Sequence, residues 1–325
     1  MSRFDDRKER ARERQLAFRQ AHTYPATWVI ACAIVAACFI GLLVSIQSLR
    51  ADVSRLEHQA AIAPIPTSST ATCEVRGNWK PNTTAKLVVS GRKVFVHTPQ
   101  NFTTTKYLPM LLVFSGKGAT AEGIQGAFGL DALPALIVYP EPTVGTEGVT
   151  AWQGAPYSSA INDITFTGNV LDELESQLCV DRTRIYATGF SNGGGFAALL
   201  SCDLSDRFAA YAIVGGAMYP AIDSCKPKQP VSLLNVHGDN DPVVPYHGSP
   251  VRKLPDIDDW TARRAALDGC KRTTVTTING NTLDTTWTGC HEGSVIKSLR
   301  IQGGGHMWGA VSNSDLWKFL TRFSL

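Results

Sequence analysis

The run Gly189-Phe190-Ser191-Asn192-Gly193 sets a serine between glycines two positions away on either side. A serine hydroxyl is a weak nucleophile near neutral pH, so this spacing carries chemistry only where a sharp strand-to-helix turn presents the hydroxyl to a base. Such a turn strains the serine backbone and brings strand and helix close together, which excludes side chains at 189 and 193. The apolar run RIYAT before the motif and FAALLSC after it provide the expected strand and helix. A glycine-rich βα turn without catalytic purpose is spelled the same way, so the partners decide.

The partners needed are an imidazole to take the proton and a carboxylate to orient the imidazole. On a sheet of this kind they follow in the order acid, then histidine, each just past the carboxyl end of a strand. After SLLNV comes HGDNDPVVPY, with Asp239 and Asp241; after VIKSLRI comes QGGGHMWG, with His306. Residue physics hardly separates the two aspartates, and taken singly Asp241 could be a turn former ahead of Pro242 and His306 a loop residue packed on Trp308. The joint order Ser191, Asp241, His306 is what makes a triad the expectation; His237 reads as structural. Two N–H donors must also face the oxyanion of a tetrahedral intermediate. The amide of Asn192 is one candidate, and the amide of Lys117, in Gly116-Lys117-Gly118 after the strand PMLLVFS, is the other. Phe190 and Trp308, beside the nucleophile and the base, are candidate ring contacts for a substrate, although core packing is the favoured account of Phe190.

Other chemistries find no support. The chain has no H-E-x-x-H, no C-x-x-C and no G-x-x-x-x-G-K-[ST], so no metal and no cofactor are expected.

Positioning these residues calls for strands alternating with helices. Short β-branched runs closed by turn residues predict strands at Lys93–Val96, Met110–Phe114, Ala135–Tyr139, Arg184–Ala187, Tyr211–Val214, Ser232–Val236 and Val295–Ile301. Helical patterns fall at Ile161–Leu178, Gly194–Cys202, Asp256–Asp268 and Asp315–Phe323. The fold class this predicts is α/β, an α/β-hydrolase arrangement with a mostly parallel central sheet and helices on both faces.

The first 24 residues hold seven basic and four acidic side chains; the remainder has 24 of each, so the bulk of the chain is neutral and nucleic acid is not an expected partner. Residues 26–46 run 21 positions without a charge, enough as a helix to cross about 30 Å of bilayer. The basic flank keeps the N-terminus cytosolic by the positive-inside rule. The expected organisation is a basic tail at 1–24, a transmembrane signal anchor at 25–47, a Pro/Ser/Thr stalk at 48–72 and a catalytic domain at 73–325 outside the cytosol. A cleaved signal peptide, which would release a secreted form, is the alternative. Six cysteines follow residue 72, which in an oxidising compartment predicts three disulfides; Cys270 with Cys290, around the turn signal Asn279-Gly280, is the first expected pair. Sequons stand at Asn82 and Asn101.

From about residue 87 onward the chain resembles the polyhydroxybutyrate-depolymerase-like esterases, and within them the fungal-type feruloyl esterases. The pieces that carry the resemblance are RKVFVHTP, LLVFSGKGATAEG, CVDRTRIYATGFSNGGGFAALLSCDLSDRFAAYAIVGGA, NVHGDNDPVVPYHG, LPDIDDWTARRAALDGC and GGGHMW. The resemblance implies Ser191 as nucleophile, Asp241 rather than Asp239 as acid, His306 as base and an oxyanion hole from the Lys117 and Asn192 amides. It also implies an ester substrate, hydroxycinnamate linked to cell-wall polysaccharide. A short-chain polyhydroxyalkanoate depolymerase, an acetylxylan esterase and an acyltransferase are rival enzymes on the same scaffold. A non-catalytic binding ectodomain is the rival of another class, hinted at by Ser115-Gly116 where the family usually has His-Gly.

Overall fold

The computed structural model describes residues 73–223 and 226–325. Residues 71–325 form one compact unit. The basic tail, the 26–46 segment, the stalk and Cys225 lie outside the described residues; within those described, no helix is long and apolar enough to cross a membrane.

Ten strands form one sheet: β1 (Thr84–Val89), β2 (Arg92–His97), β3 (Leu108–Phe114), β4 (Leu136–Pro140), β7 (Val180–Phe190), β8 (Ala210–Val214), β9 (Ser232–Gly238), β10 (Arg272–Ile278), β11 (Thr282–Thr288) and β12 (Ile296–Ile301). Their spatial order is β1-β2-β4-β3-β7-β8-β9-β12-β11-β10. From β4 to β12 neighbours run parallel, and antiparallel hairpins close both edges. A small ribbon of β5 (Thr143–Val144) and β6 (Thr150–Ala151) stands apart from this sheet.

The parallel strands are buried on both faces because successive side chains enter two separate cores. Along β3, Met110, Leu112 and Phe114 join the core under helices α2 (Asp163–Gln177), α3 (Asn192–Asp203) and α5 (Ile257–Leu267). Leu111 and Val113 join the opposite core, covered by α1 (Ala121–Phe128) and α6 (Asn313–Leu320). A short α4 (Pro220–Asp223) completes the helices among the described residues.

All seven predicted strands and all four predicted helices are present, with ends shifted by a few residues. Helix α1 goes unread because Gly123 and Gly126 weaken its propensity; it is held instead by the Thr120 hydroxyl accepting the Gly123 amide and by Gly129 at φ 65° at its C-terminus. The threonine-rich segment is the expected hairpin, β10 with β11, turning at Asn279 and Gly280, both at positive φ. Cys270 and Cys290 are bridged as expected, and a second disulfide joins Cys73 to Cys179. Cys202 is disulfide-bonded as well.

Candidate active site

The strand β7 ends at Phe190 and helix α3 begins at Asn192, leaving Ser191 alone in the turn at φ 56°, ψ −120°. A side chain does not adopt these angles freely, so the surrounding packing must hold them. A Cβ on Gly189 would lie 2.2 Å from the Gly193 carbonyl oxygen, and one on Gly193 2.3 Å from the Phe114 oxygen. Both glycines are therefore demanded by backbone meeting backbone, as the spacing predicted.

The two aspartates separate cleanly. Asp241, past the end of β9, takes His306 Nδ1 on its Oδ2 at 2.6 Å, while its Oδ1 accepts the Val243 and Val244 amides at 2.8 Å each. Asp239 faces the other way: it accepts the Gly303 amide at 2.7 Å and Arg300 Nε at 3.1 Å, pinning the glycine loop that delivers the histidine. Burial would raise the Asp241 carboxyl. Hydrogen bonds from His237, the Val244 amide, His306 and the Val243 amide outweigh it and hold the group well below the usual carboxylate range. Asp241 is thus a fixed negative charge, and its bond fixes the proton of His306 on Nδ1, leaving Nε2 as the basic nitrogen.

The imidazole of His306 lies against the ring of Phe190, centroids 4.6 Å apart, and against Gly215, where a Cβ would come within 3.3 Å of it. Gly215 follows β8, whose last residue, Val214, accepts the Ser191 amide at 3.0 Å. The structure therefore brings His306 to the strand ends flanking the serine. His237, read as structural, proves to belong to this group: it is buried, its Nε2 is 2.8 Å from the Val244 oxygen and 3.4 Å from Asp241 Oδ2.

On the oxyanion side, a Cβ added to Gly116 would stand 3.3 Å from the Ser191 Cβ, so the loop carrying Lys117 abuts the serine. Asn192 is buried at the start of α3, with its side chain bonded to the backbone of Trp152. Ser115, the departure from His-Gly, is buried, and its hydroxyl has no hydrogen-bond partner among the described residues.

The candidate ring contacts form part of an aromatic wall. Trp308 stacks on Phe128 at 4.1 Å, and Phe128 meets Phe190 edge-on at 6.2 Å. Phe190 is thus engaged by His306 and Phe128, and Trp308 has one face covered. Sequence reading missed Phe128 because its helix was unread, and missed Trp152 because nothing in Thr-Ala-Trp distinguishes it.

A half-buried serine in a strained turn, with an imidazole oriented by a buried carboxylate at neighbouring strand ends, is an arrangement that can carry acyl transfer. No protein-family profile matches the chain. Among curated proteins, feruloyl esterase B of Piromyces equi is 32% identical over 248 residues, 72% of this chain. In sequence the chain is similar to the feruloyl esterases, and its fold is that of the α/β-hydrolases. A bifunctional acetylxylan esterase/xylanase of Neocallimastix patriciarum is 26% identical over 73% of this chain. The chain spans only 46% and 34% of these two relatives' own lengths. An acetyl xylan esterase structure from Aspergillus awamori superposes with a TM-score of 0.56 at 12% identity, covering 74% of this chain and 99% of its own, which supports the fold.

Proposed function

We propose that the protein is a serine carboxylesterase that cleaves hydroxycinnamoyl (feruloyl) esters of plant cell-wall polysaccharide through an acyl-enzyme. The observation that carries the reading is the 2.6 Å contact between His306 Nδ1 and Asp241 Oδ2, made while the imidazole rests on Phe190, the residue before Ser191. His306 Nε2 takes the Ser191 proton as Oγ attacks the ester carbonyl, and the amides of Lys117 and Asn192 receive the oxyanion. Collapse expels the alcohol, which takes the proton from Nε2. Water, deprotonated by the same nitrogen, then attacks the acyl carbon; the acid departs and Ser191 regains its proton. The names of the curated relatives and the aromatic wall of Phe190, Phe128 and Trp308 support an aromatic acyl group.

An acetyl or short aliphatic acyl group is the second reading, supported by the likeness to a bifunctional acetylxylan esterase/xylanase. The test is hydrolysis of methyl ferulate, p-nitrophenyl acetate and p-nitrophenyl butyrate by the purified protein beside Ser191→Ala. Preference for methyl ferulate is expected. Equal rates for protein and variant on every ester would replace the esterase reading with that of a binding ectodomain.

The same proposal holds the domain outside the cytosol, anchored by residues 26–46. The disulfides support an oxidising compartment, and Asn82 and Asn101, the sequon residues, are both exposed. Membrane fractionation, protease protection and a glycosidase mobility shift test it.

A further inference from the structure

Asn192 and the loop of Gly116–Ala119 reach the serine from different elements, yet one short segment holds both. Thr150 opens β6 of the small ribbon; its carbonyl accepts the Gly118 amide at 2.8 Å and its hydroxyl donates to the Ala119 carbonyl at 2.8 Å. Two residues on, the Trp152 amide donates to Asn192 Oδ1 at 2.7 Å, and Asn192 Nδ2 donates back to the Trp152 carbonyl at 3.3 Å. An amide N–H can only donate, which fixes the orientation of the Asn192 carboxamide.

The indole of Trp152 locks this segment in turn. It stacks on Phe196, one turn along α3 from Asn192, with centroids 5.0 Å apart and planes 11° apart. It also meets Phe114, the last residue of β3, edge-on at 5.1 Å. Trp152 is therefore wedged between the helix that bears one candidate oxyanion donor and the strand that feeds the other. From outside, Lys117 Nζ pairs with Glu147 Oε2 and sits 4.2 Å above the Tyr157 ring, both on the same excursion of the chain.

A buried carboxamide is costly unless both ends are bonded, so Asn192 spends its polarity on this one contact. Oxyanion stabilisation depends on donors already fixed where charge will develop, and a displacement of about 1 Å can cost on the order of a hundredfold in rate. From these contacts we infer that Thr150–Trp152 is a brace that sets the spacing of the two oxyanion donors, and that Asn192 acts through its side chain as a positioning residue, beyond the backbone amide it offers. The inference rests on the esterase reading above.

The test compares the full-length protein with Asn192→Ala, Thr150→Val and Thr150→Ser, all normalised to sites titrated with a fluorophosphonate. Asn192→Ala is expected to lower kcat per titrated site by about tenfold or more, with KM nearly unchanged, and to weaken phenylboronic acid by a similar factor, because the boronate adduct occupies the oxyanion hole. Thr150→Val is expected to lose several-fold in both readouts, and Thr150→Ser to recover most of that loss. The double variant should fall short of the product of the single effects, since both act on one spacing. A brace with no catalytic consequence would lower the melting temperature while leaving kcat per site and boronate affinity unchanged, and that result overturns the inference. Should Asn192→Ala fail to accumulate, the same two readouts on Thr150→Val decide in its place. A wild-type protein no more active than Ser191→Ala would bring down the esterase reading and this inference with it; an active wild type with an unimpaired Asn192→Ala removes the brace alone.

Discussion

His237 and His306 converge on one carboxylate oxygen, Asp241 Oδ2, at 3.4 Å and 2.6 Å. They do so with different tasks. His306 contributes Nδ1 and leaves Nε2 for the proposed proton transfer, whereas His237 points Nε2 inward at Asp241 and the Val244 carbonyl, and is buried. Replacing His237 by Phe strands the Val244 carbonyl and loosens the acid's loop. The expected result is a stability loss of about 1–3 kcal/mol in urea denaturation, with kcat on p-nitrophenyl acetate reduced but far from abolished.

Asp241→Asn and Asp239→Asn should differ in kind. The first lets the imidazole adopt the wrong tautomer and is expected to cut kcat by about 10³–10⁴ with the fold intact by circular dichroism. The second frees Gly303 and Arg300 and should cost about tenfold or less in kcat while lowering the melting temperature. Equal losses in the two variants would undo the assignment of roles to the two aspartates.

Asp241 also bears on acid sensitivity. Its folded carboxyl lies below the usual range, so the stability it contributes is present above the unfolded value of about 3.9 and is lost only as pH falls through the folded one. The acid limb of kcat should therefore not report this carboxylate. A pH-rate profile from about 3 to 9 on p-nitrophenyl acetate is expected to show no inflection at the ordinary carboxylate value of about 3.9 that Asp241→Asn removes; such an inflection would contradict the lowered carboxyl.

Asp268 behaves in the opposite sense. Burial pushes its carboxyl up to about 6 against the pull of Arg264, the Val231 amide, Ser294 and His291. A raised carboxyl stabilises most when protonated, so its contribution is complete below about 4 and is lost as pH rises through about 6, amounting to roughly 2–3 kcal/mol. Asn at this position does not titrate. The stability of wild type relative to Asp268→Asn is expected to grow as pH falls from about 7 to about 5; a difference independent of pH would contradict the raised value.

The disulfides should rank by the chain they enclose. Cys73–Cys179 spans 106 positions and Cys270–Cys290 spans 20. Chain entropy assigns them roughly 4–5 and about 3 kcal/mol. Calorimetry of the two paired serine variants is expected to show the larger loss for Cys73 with Cys179.

What the sequence disclosed is the part written in short-range spacing. Strand-turn-helix at Ser191, the turn residues at Asn279-Gly280 and the apolar runs of β3, β4 and β8 need only a few neighbours to be recognised. What stayed hidden depends on distance or on muted local signals. Strand β1, with its half-exposed alternation and a lysine, looked like any surface segment, and α1 was masked by two glycines. Asp239 and Asp241 share a turn, and apart from the family resemblance only the course of the Gly303–Gly305 loop tells which carboxylate reaches the imidazole. The bond from Asn192 to Trp152 joins residues 40 apart and has no trace in either neighbourhood.

The cystine at Cys73 has a mechanical meaning. Cys179 immediately precedes β7, an 11-residue strand hydrogen-bonded on both sides at the middle of the sheet, with Ser191 just past its opposite end. Tension applied to the chain ahead of Cys73 would pass through the sulfurs to the foot of that innermost strand, bypassing β1, and would have to shear two parallel ladders before it disturbed the rim that carries Ser191.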